Sequence, residues 1–356
     1  MTEAAGGGRR AYREVTPDSV ETLALVLREA TESRSVVQVV GGGTRQGYGS
    51  PPAPDIVLDM AGLSGIEEWD PDDLTVTVGA GTPVADLEAE LAGRSQTAVL
   101  PEVPGASTVG GVVAAGMSSL RRGRLLGTRE RMLEVRLVTG DGRVVRGGGR
   151  VVKNVSGYDL PRLVVGAFGS LGVITSVCLK LWPRPPAAAT VSIGDLESAG
   201  RVRRPLAVLE HDGSTEVFLW GTPEEVFSST ARLEGESREG HHWPADPAGP
   251  YRWSLRIPPA STTAGVSRLP PVWSYLAIHG AGEIRAASDV ADGAEDLRGW
   301  AEGVGGSLVV VEAPKDGING LDPWGKPPPG LEIQRRLIAQ FDPARVINPG
   351  RLPGGL

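Results

Sequence analysis

At 356 residues the chain is long enough for two domains, each with a core of its own. With 43 acidic against 36 basic residues and a formal net charge of −7, it offers no basic field for nucleic acid or an anionic membrane surface. Its single cysteine excludes an internal disulfide and a four-thiolate iron–sulfur cluster, and the lack of a bilayer-length apolar run or an apolar signal core in the first ten residues leads us to expect a cytoplasmic chain with no transmembrane segment.

Thr16-Pro17-Asp18 supplies an N-cap, a proline for the first helical position and an early acid, and Leu23, Val26, Leu27 and Ala30 recur at helical spacing, which predicts a helix over 17–32. A strand at 36–40 runs into Gly41-Gly42-Gly43-Thr44-Arg45-Gln46-Gly47, and a strand at 56–59 follows. Strands at 65–69 and 74–78 precede Thr82-Pro83, a second cap signal for a helix ending near Gly93. From residue 99 the texture changes to Leu100-Pro101-Glu102-Val103-Pro104-Gly105, then Ser107-Thr108-Val109-Gly110-Gly111-Val112-Val113-Ala114-Ala115-Gly116, a second glycine-rich element.

Strands at 135–139 and 143–146 form a hairpin through Gly140-Asp141-Gly142, because Asp-Gly suits a turn that needs positive backbone angles. Phe168-Gly169-Ser170-Leu171-Gly172-Val173-Ile174 opens a strand that ends at Trp182-Pro183-Arg184-Pro185-Pro186, and that proline cluster marks the expected domain boundary. Beyond it, strands at 206–210 and 216–220 precede Thr222-Pro223-Glu224-Glu225, a capping box that starts a helix to about 234. Strands at 251–257, 274–279 and 307–311 with a helix at 289–303 predict a small sheet covered by helices on one face. A last helix at 331–341 leads into a proline- and glycine-rich tail.

The 50 glycines are about twice the ordinary frequency of roughly 7%, and they cluster against apolar β-branched runs. Glycine reaches left-handed angles and lets a backbone come close to a ligand. Converging N–H groups can then neutralise a diphosphate inside an acidic protein. The 41–47 loop offers this, with Thr44 and Arg45 as side-chain donors, although a merely flexible loop between strands has the same texture. A second glycine loop sixty positions later, and a third pair of segments at 153–159 and 166–174, add weight to phosphate binding. No Lys followed by Ser or Thr makes a P-loop, and no helix follows the first loop as a Rossmann fold requires.

Val39-Val40-Gly41-Gly42-Gly43-Thr44, Pro104-Gly105-Ala106-Ser107-Thr108-Val109-Gly110-Gly111 and the 168–174 segment resemble, in order and spacing, the FAD-binding domain of vanillyl-alcohol-oxidase-type (PCMH-type) flavoproteins. Gly149-Arg150-Val151-Val152-Lys153-Asn154-Val155-Ser156-Gly157-Tyr158-Asp159-Leu160 and the ending Phe341-Asp342-Pro343-Ala344-Arg345-Val346-Ile347-Asn348-Pro349-Gly350-Arg351 resemble the smaller FAD-binding subunit of bacterial glycolate oxidases. The resemblance implies an α+β fold: a two-lobed PCMH-type FAD-binding domain over 1–186, a smaller α+β domain over 187–330, and a C-terminal helix and tail over 331–356 packing back near the FAD domain. It implies FAD contacts from Gly41, Gly42, Gly43, Thr44, Arg45, Gln46 and Gly47 at the pyrophosphate. Pro101, Gly105, Ser107, Thr108, Gly110, Gly111 and Gly116 would lie along the flavin and its ribityl chain. Gly157, Tyr158, Asp159, Gly169, Gly172 and Ile174 complete the implied set, with turn and packing chemistry an equal alternative for Tyr158 and Asp159.

Some members tether the flavin through histidine or cysteine in these loops, and this chain has neither there, so non-covalent FAD is expected. The resemblance implies a small 2-hydroxy acid such as glycolate as substrate, a larger flavoprotein and an iron–sulfur subunit as partners, and through them a place peripheral to the membrane. The histidine-rich metal motif common in 2-hydroxy-acid dehydrogenases of the superfamily is missing: His211, His241, His242 and His279 do not form it, and His241-His242 reads as a loop pair, so no metal site and no catalytic base is assigned. A catalytically silent electron-relay flavoprotein and a stand-alone flavin oxidase of another alcohol stay open beside the enzyme reading. Arg121, Arg122, Arg124, Arg129 and Arg131 form either a solvated face or a contact for phosphate, a carboxylate or a partner. Cys178 reads as a small buried apolar residue. Gly42→Val and Gly110→Val are expected to abolish the flavin colour of a folded chain by blocking the backbone's approach to the cofactor.

Overall fold

The computed structural model describes residues 12–50, 53–102, 105–150, 158–314 and 320–356; Val103, Pro104, Lys153, Asn154 and Gly157 lie outside the described residues. In the first lobe β1 (Arg13–Val15), β2 (Val37–Val40) and β3 (Ile56–Asp59) form a parallel sheet in the order β1-β3-β2. Helix α1 (Val20–Ser33) packs Leu23, Leu27 and Ala30 on Val37, Ile56 and Leu58. It starts three residues later than the sequence predicts. Ser19, extended at φ −146°, accepts from the Thr22 amide and takes the capping role expected of Thr16. Because β2 and β3 are parallel neighbours, the chain crosses over between them, with no helix among the described residues of the connection, and this carries the first glycine loop over the end of the sheet.

A second, antiparallel sheet contains β4 (Ile66–Asp70), β5 (Thr75–Gly79), β7 (Met132–Val138), β8 (Val144–Gly148) and β9 (Val173–Lys180) in the order β4-β5-β9-β7-β8. The short strands β6 (Gln96–Thr97) and β10 (Trp182–Pro183) pair with each other. Helices α2 (Val84–Ala92) and α3 (Val109–Ala115) bury Leu87, Leu91, Val109 and Val112 against Val78, Leu137 and Val177. Thr82 does not cap α2. Its hydroxyl donates to the Gly79 carbonyl and accepts from the Gly65 amide. The β7–β8 turn has the expected positive φ at Gly142, +77°. Cys178 is buried in β9 as read, but on the face away from Val177 and Leu179, where its thiol, pushed up by burial, bonds Thr77 and Arg150.

The second lobe is one antiparallel sheet of eight strands: β11 (Ala187–Ile193), β12 (Ala207–His211), β13 (Ser214–Gly221), β14 (Gly235–Glu239), β15 (Tyr251–Arg256), β16 (Ser274–His279), β17 (Glu283–Ser288) and β18 (Ser307–Glu312), ordered β14-β11-β13-β12-β16-β17-β15-β18. It is larger than the sequence predicts: β14 and β17 lack an apolar alternating run of β-branched residues, and the short Thr190-Val191-Ser192-Ile193 alternation of β11 follows directly on the proline cluster and three alanines. One face carries α4 (Pro223–Thr230), whose Thr222–Glu225 capping box forms as read, and α5 (Ala294–Gly303). The opposite face presents Leu209, Phe218, Leu276 and Ile278 to Val99, Leu120 and Leu125 of the first lobe. After a helix at Leu331–Phe341 the chain returns to the first lobe, where the Val37 amide donates to the Val346 carbonyl at 2.8 Å and the Asn348 amide to the Val37 carbonyl at 2.8 Å. No helix among the described residues is long and apolar enough to cross a membrane.

Candidate cofactor cleft and adjoining arginine cavity

The first glycine loop lies directly on the N-terminal turn of α3, where the Thr108 hydroxyl accepts from the Gly111 amide at 3.2 Å. A Cβ on Gly41 would strike that hydroxyl, and one on Gly42 would strike the Ala106 carbonyl. At Gly110 it would lie 2.6 Å from the Ala80 Cβ. These glycines are required by loop-on-loop packing, which differs from the ligand approach inferred from sequence. Gly43 is the opposite case, with nothing within 4 Å of an added Cβ but a φ of +70°.

Of the residues named from the sequence, Gly41, Gly42, Gly43, Thr44, Arg45, Gln46, Ser107, Thr108, Gly110, Gly111, Gly169, Gly172 and Ile174 line one cleft. The others stand apart from it. Gly47 packs against the β18 backbone at Val311, Pro101 borders a separate cavity beside Trp243, and Gly116 ends α3 in the left-handed region beside an inter-lobe groove. Gly105 is an exposed turn residue at φ +77°. Tyr158 is 95% exposed, and Asp159 accepts from the Arg162 amide as an N-cap. Gly157 lies outside the described residues. Asn348 and Arg351 also line the cleft; they stood in a family-like motif, but nothing local to a proline-rich tail signals that it folds back some 300 positions.

Among the described residues, no main-chain amide from Gly42 to Gly47 donates a hydrogen bond of normal geometry. The amides of α3's first turn are already satisfied: Val109 by the Thr82 carbonyl, Gly110 by the Ala80 carbonyl and Gly111 by Thr108. The first loop is therefore one source of unpartnered donors in the cleft. The Thr44 and Ser107 hydroxyls meet at 3.1 Å across the cleft floor, and no described carboxylate lines it. Free amides, hydroxyls and no competing anion fit a diphosphate.

Arg45 and Met117 are shared with a second cavity, under the sheet face of β15 and β17. Arg45, Arg252, Arg256 and Arg285 line it against two carboxylates, Asp246 and Glu283. Arg285 holds Asp246 at 2.7 Å and Glu283 at 2.9 Å, and Arg122 from the first lobe reaches Glu283 at 2.7 Å. Burial alone would raise the Glu283 carboxyl, but Arg285, Arg256 and Arg122 outweigh it and hold it at about 2. Arg252 pairs with Glu312. The Arg256 side chain makes no hydrogen bond or ion pair within 4.0 Å among the described residues, and acts on Glu283 only at longer range. Burial lowers Arg45 and raises the Tyr48 phenol, which also lines this cavity.

No histidine lines either site. His211 faces Glu216, His279 faces Glu210, and His241 and His242 bond the carbonyls of Leu219 and Glu239. The arginine cluster after the second glycine loop is largely internal fastening: Arg121 holds Glu102 at 2.6 Å, and buried Arg131 donates to the Lys180 and Leu125 carbonyls.

Residues 13–148 match the FAD binding domain family. Over 333 residues the chain is 30% identical to the glycolate oxidase subunit GlcE of Escherichia coli (strain K12), covering 88% of this chain and 92% of that protein. It is 33% identical over 174 residues to a D-2-hydroxyglutarate dehydrogenase of Xanthomonas citri pv. viticola, and 32% over 181 residues to the glycolate oxidase subunit GlcD of Bacillus subtilis (strain 168). Those two matches cover 48% and 50% of this chain but only 36% and 38% of the relatives. A solved alkyldihydroxyacetonephosphate synthase superposes with a TM-score of 0.67 over 95% of this chain and 76% of its own, at 15% identity, a likeness of fold. The chain belongs to the PCMH-type FAD-binding flavoprotein family of oxidoreductases that includes the glycolate oxidase subunit GlcE, and FAD is its cofactor.

Proposed function

We propose that the chain is the FAD-binding subunit of a glycolate oxidase or dehydrogenase assembly that oxidises a small 2-hydroxy acid to the 2-oxo acid, with a larger flavoprotein and an iron–sulfur subunit as partners. Amides 42–46 with the Thr44 and Ser107 hydroxyls would hold the FAD diphosphate non-covalently. When bound, FAD supplies the acceptor for the two electrons leaving the substrate's carbinol carbon. The observation that carries the reading is the junction at Arg45 and Met117, where the donor-lined cleft meets a cavity with more guanidinium than carboxylate. Arg256, whose side chain has no short contact to a carboxylate, would take the substrate carboxylate with Arg45, which stands 3.8 Å from Asp246.

A second reading, an electron-relay flavoprotein whose sister chain performs the oxidation, is favoured by the acid–base inventory. Oxidising an alcohol also releases the hydroxyl proton, which needs an acceptor. Asp246 and Glu283 are both tied to arginine, and the Tyr48 phenol is pushed up by burial. Anaerobic addition of glycolate or D-lactate to the purified chain separates the two: bleaching of the flavin band assigns oxidation to this chain, and an unchanged band assigns it to a partner. Hydrogen peroxide production in air without partners would instead mark a stand-alone oxidase.

A further inference from the structure

We infer that the C-terminal arm is part of the cofactor site and that Arg351 is the built-in counter-charge of the bound diphosphate, which rests on the cleft being the FAD site. The arm lies against both ends of the cleft. Asn348, left-handed at φ +46°, accepts from the Val39 amide at 2.9 Å and donates to the Phe168 carbonyl at 2.7 Å, joining the root of the first glycine loop to the third glycine segment. Arg351 lines the same cleft, is 3% exposed, and donates from Nη1 to the Gln46 and Tyr48 carbonyls at 2.7 and 2.8 Å and from Nη2 to Gln46 Oε1 at 2.6 Å.

Each of these acceptors is neutral, and the buried Nε–H has no partner. Arg351 has no carboxylate partner among the described residues. A desolvated cation without an anion is costly, and burial pulls this one down to about 10 with nothing opposing it. The Phe168 ring, 6.0 Å from the guanidinium carbon, sits at the outer limit of a cation–π contact, and clamping two carbonyls and an amide needs donors but no charge, so no anion on the chain accounts for the charge. An anion entering the cleft explains it: the free amides of residues 42–46 lie on the segment that Arg351 grips, and no described carboxylate lines the cleft to neutralise the guanidinium first.

The test uses apoprotein stripped of flavin, wild type beside Arg351→Gln, which keeps a donor and loses the charge, and Arg351→Lys, which keeps the charge and loses the fork. FAD affinity is measured by flavin fluorescence quenching across a range of salt, and the melting temperature of each apoprotein is recorded. Arg351→Gln is expected to bind FAD about tenfold more weakly or worse, with a flatter dependence of Kd on salt, while Arg351→Lys stays within about threefold. The Arg351→Gln apoprotein is expected to melt no lower than wild type, since a buried charge without its anion has been removed. Equal loss in both variants, no loss in either, an unchanged salt dependence, or an Arg351→Gln apoprotein that melts well below wild type would each overturn the inference. Wild-type apoprotein that takes up no FAD would overturn the cleft assignment itself, a failure visible before any variant is compared.

Discussion

Gly42 and Gly43 are neighbours in one loop, yet they are glycines for different reasons, and substitution separates them. At Gly42 the Ala106 carbonyl occupies the place of a Cβ, so Gly42→Val must push the two glycine loops apart. It should lower apoprotein stability by about 2–4 kcal/mol and lose FAD with it, read by thermal melting and flavin content. Gly43→Ala meets no atom of the protein and strains only a positive φ, so it should cost the apoprotein less, about 1–2 kcal/mol. Loss of colour from a Gly42→Val protein as stable as wild type would restore the ligand-approach explanation. In its proposed role Arg256 would bear on the substrate rather than the cofactor: Arg256→Met should raise the KM for glycolate of the assembled enzyme about tenfold or more with little change in kcat, and an unchanged KM would remove it from the site. The glycine clusters were legible because missing side chains are visible one residue at a time. Which backbone fills the space was not, because Ala106 and Ala80 reach these glycines only through the fold.

At the scale of elements, local chemistry was read correctly where the signal is complete within one turn. The Thr222–Glu225 box closes in both directions, the Glu225 carboxylate accepting from the Thr222 amide at 2.8 Å and the Thr222 hydroxyl from the Glu225 amide at 3.2 Å. Thr222→Ala should therefore cost about 1 kcal/mol and leave FAD content unchanged, measurable as a shift in the denaturation midpoint of the holoprotein. Where two caps compete, as at Thr16 and Ser19, the sequence offers no ranking, and the extended backbone at Ser19 decides. Strands β11, β14 and β17 were invisible for a related reason. Three alanines, a fully exposed Gly-Glu-Ser-Arg-Glu and a run with alternating charges become strands only because neighbouring strands supply their pairing. The arm at 342–351 pairs with β2 across most of the chain's length, which no local pattern encodes.

For the whole molecule, the apolar face around Phe218 and Leu276 and the Arg122–Glu283 bridge fasten the eight-stranded sheet to the first lobe, which brings the arginine cavity to the mouth of the glycine cleft. Glu283 is buried against Arg285, Arg256 and Arg122, so Glu283→Gln removes the anion they share, leaves Arg285 only Asp246, and should destabilise the protein by about 3–5 kcal/mol at neutral pH. Its carboxyl is held at about 2, below the ordinary 4.5. The stability it contributes is therefore fully present above the unfolded value and is lost as pH falls through the folded one. Melts on the acid side should show wild type converging on Glu283→Gln, and parallel curves would mean that Glu283 does not titrate as described. The two-lobed FAD-binding architecture was legible from the order of three glycine segments. The arginine cavity was not, because its residues come from positions 45, 246, 252, 256 and 285, and only the stacking of one lobe on the other assembles them. A structure of the protein crystallised with FAD is the most direct measurement of all: the assignment predicts diphosphate density against amides 42–46, with Ser107 and the Arg351 arm alongside, and FAD bound anywhere else, or a different ligand filling that cleft, contradicts it.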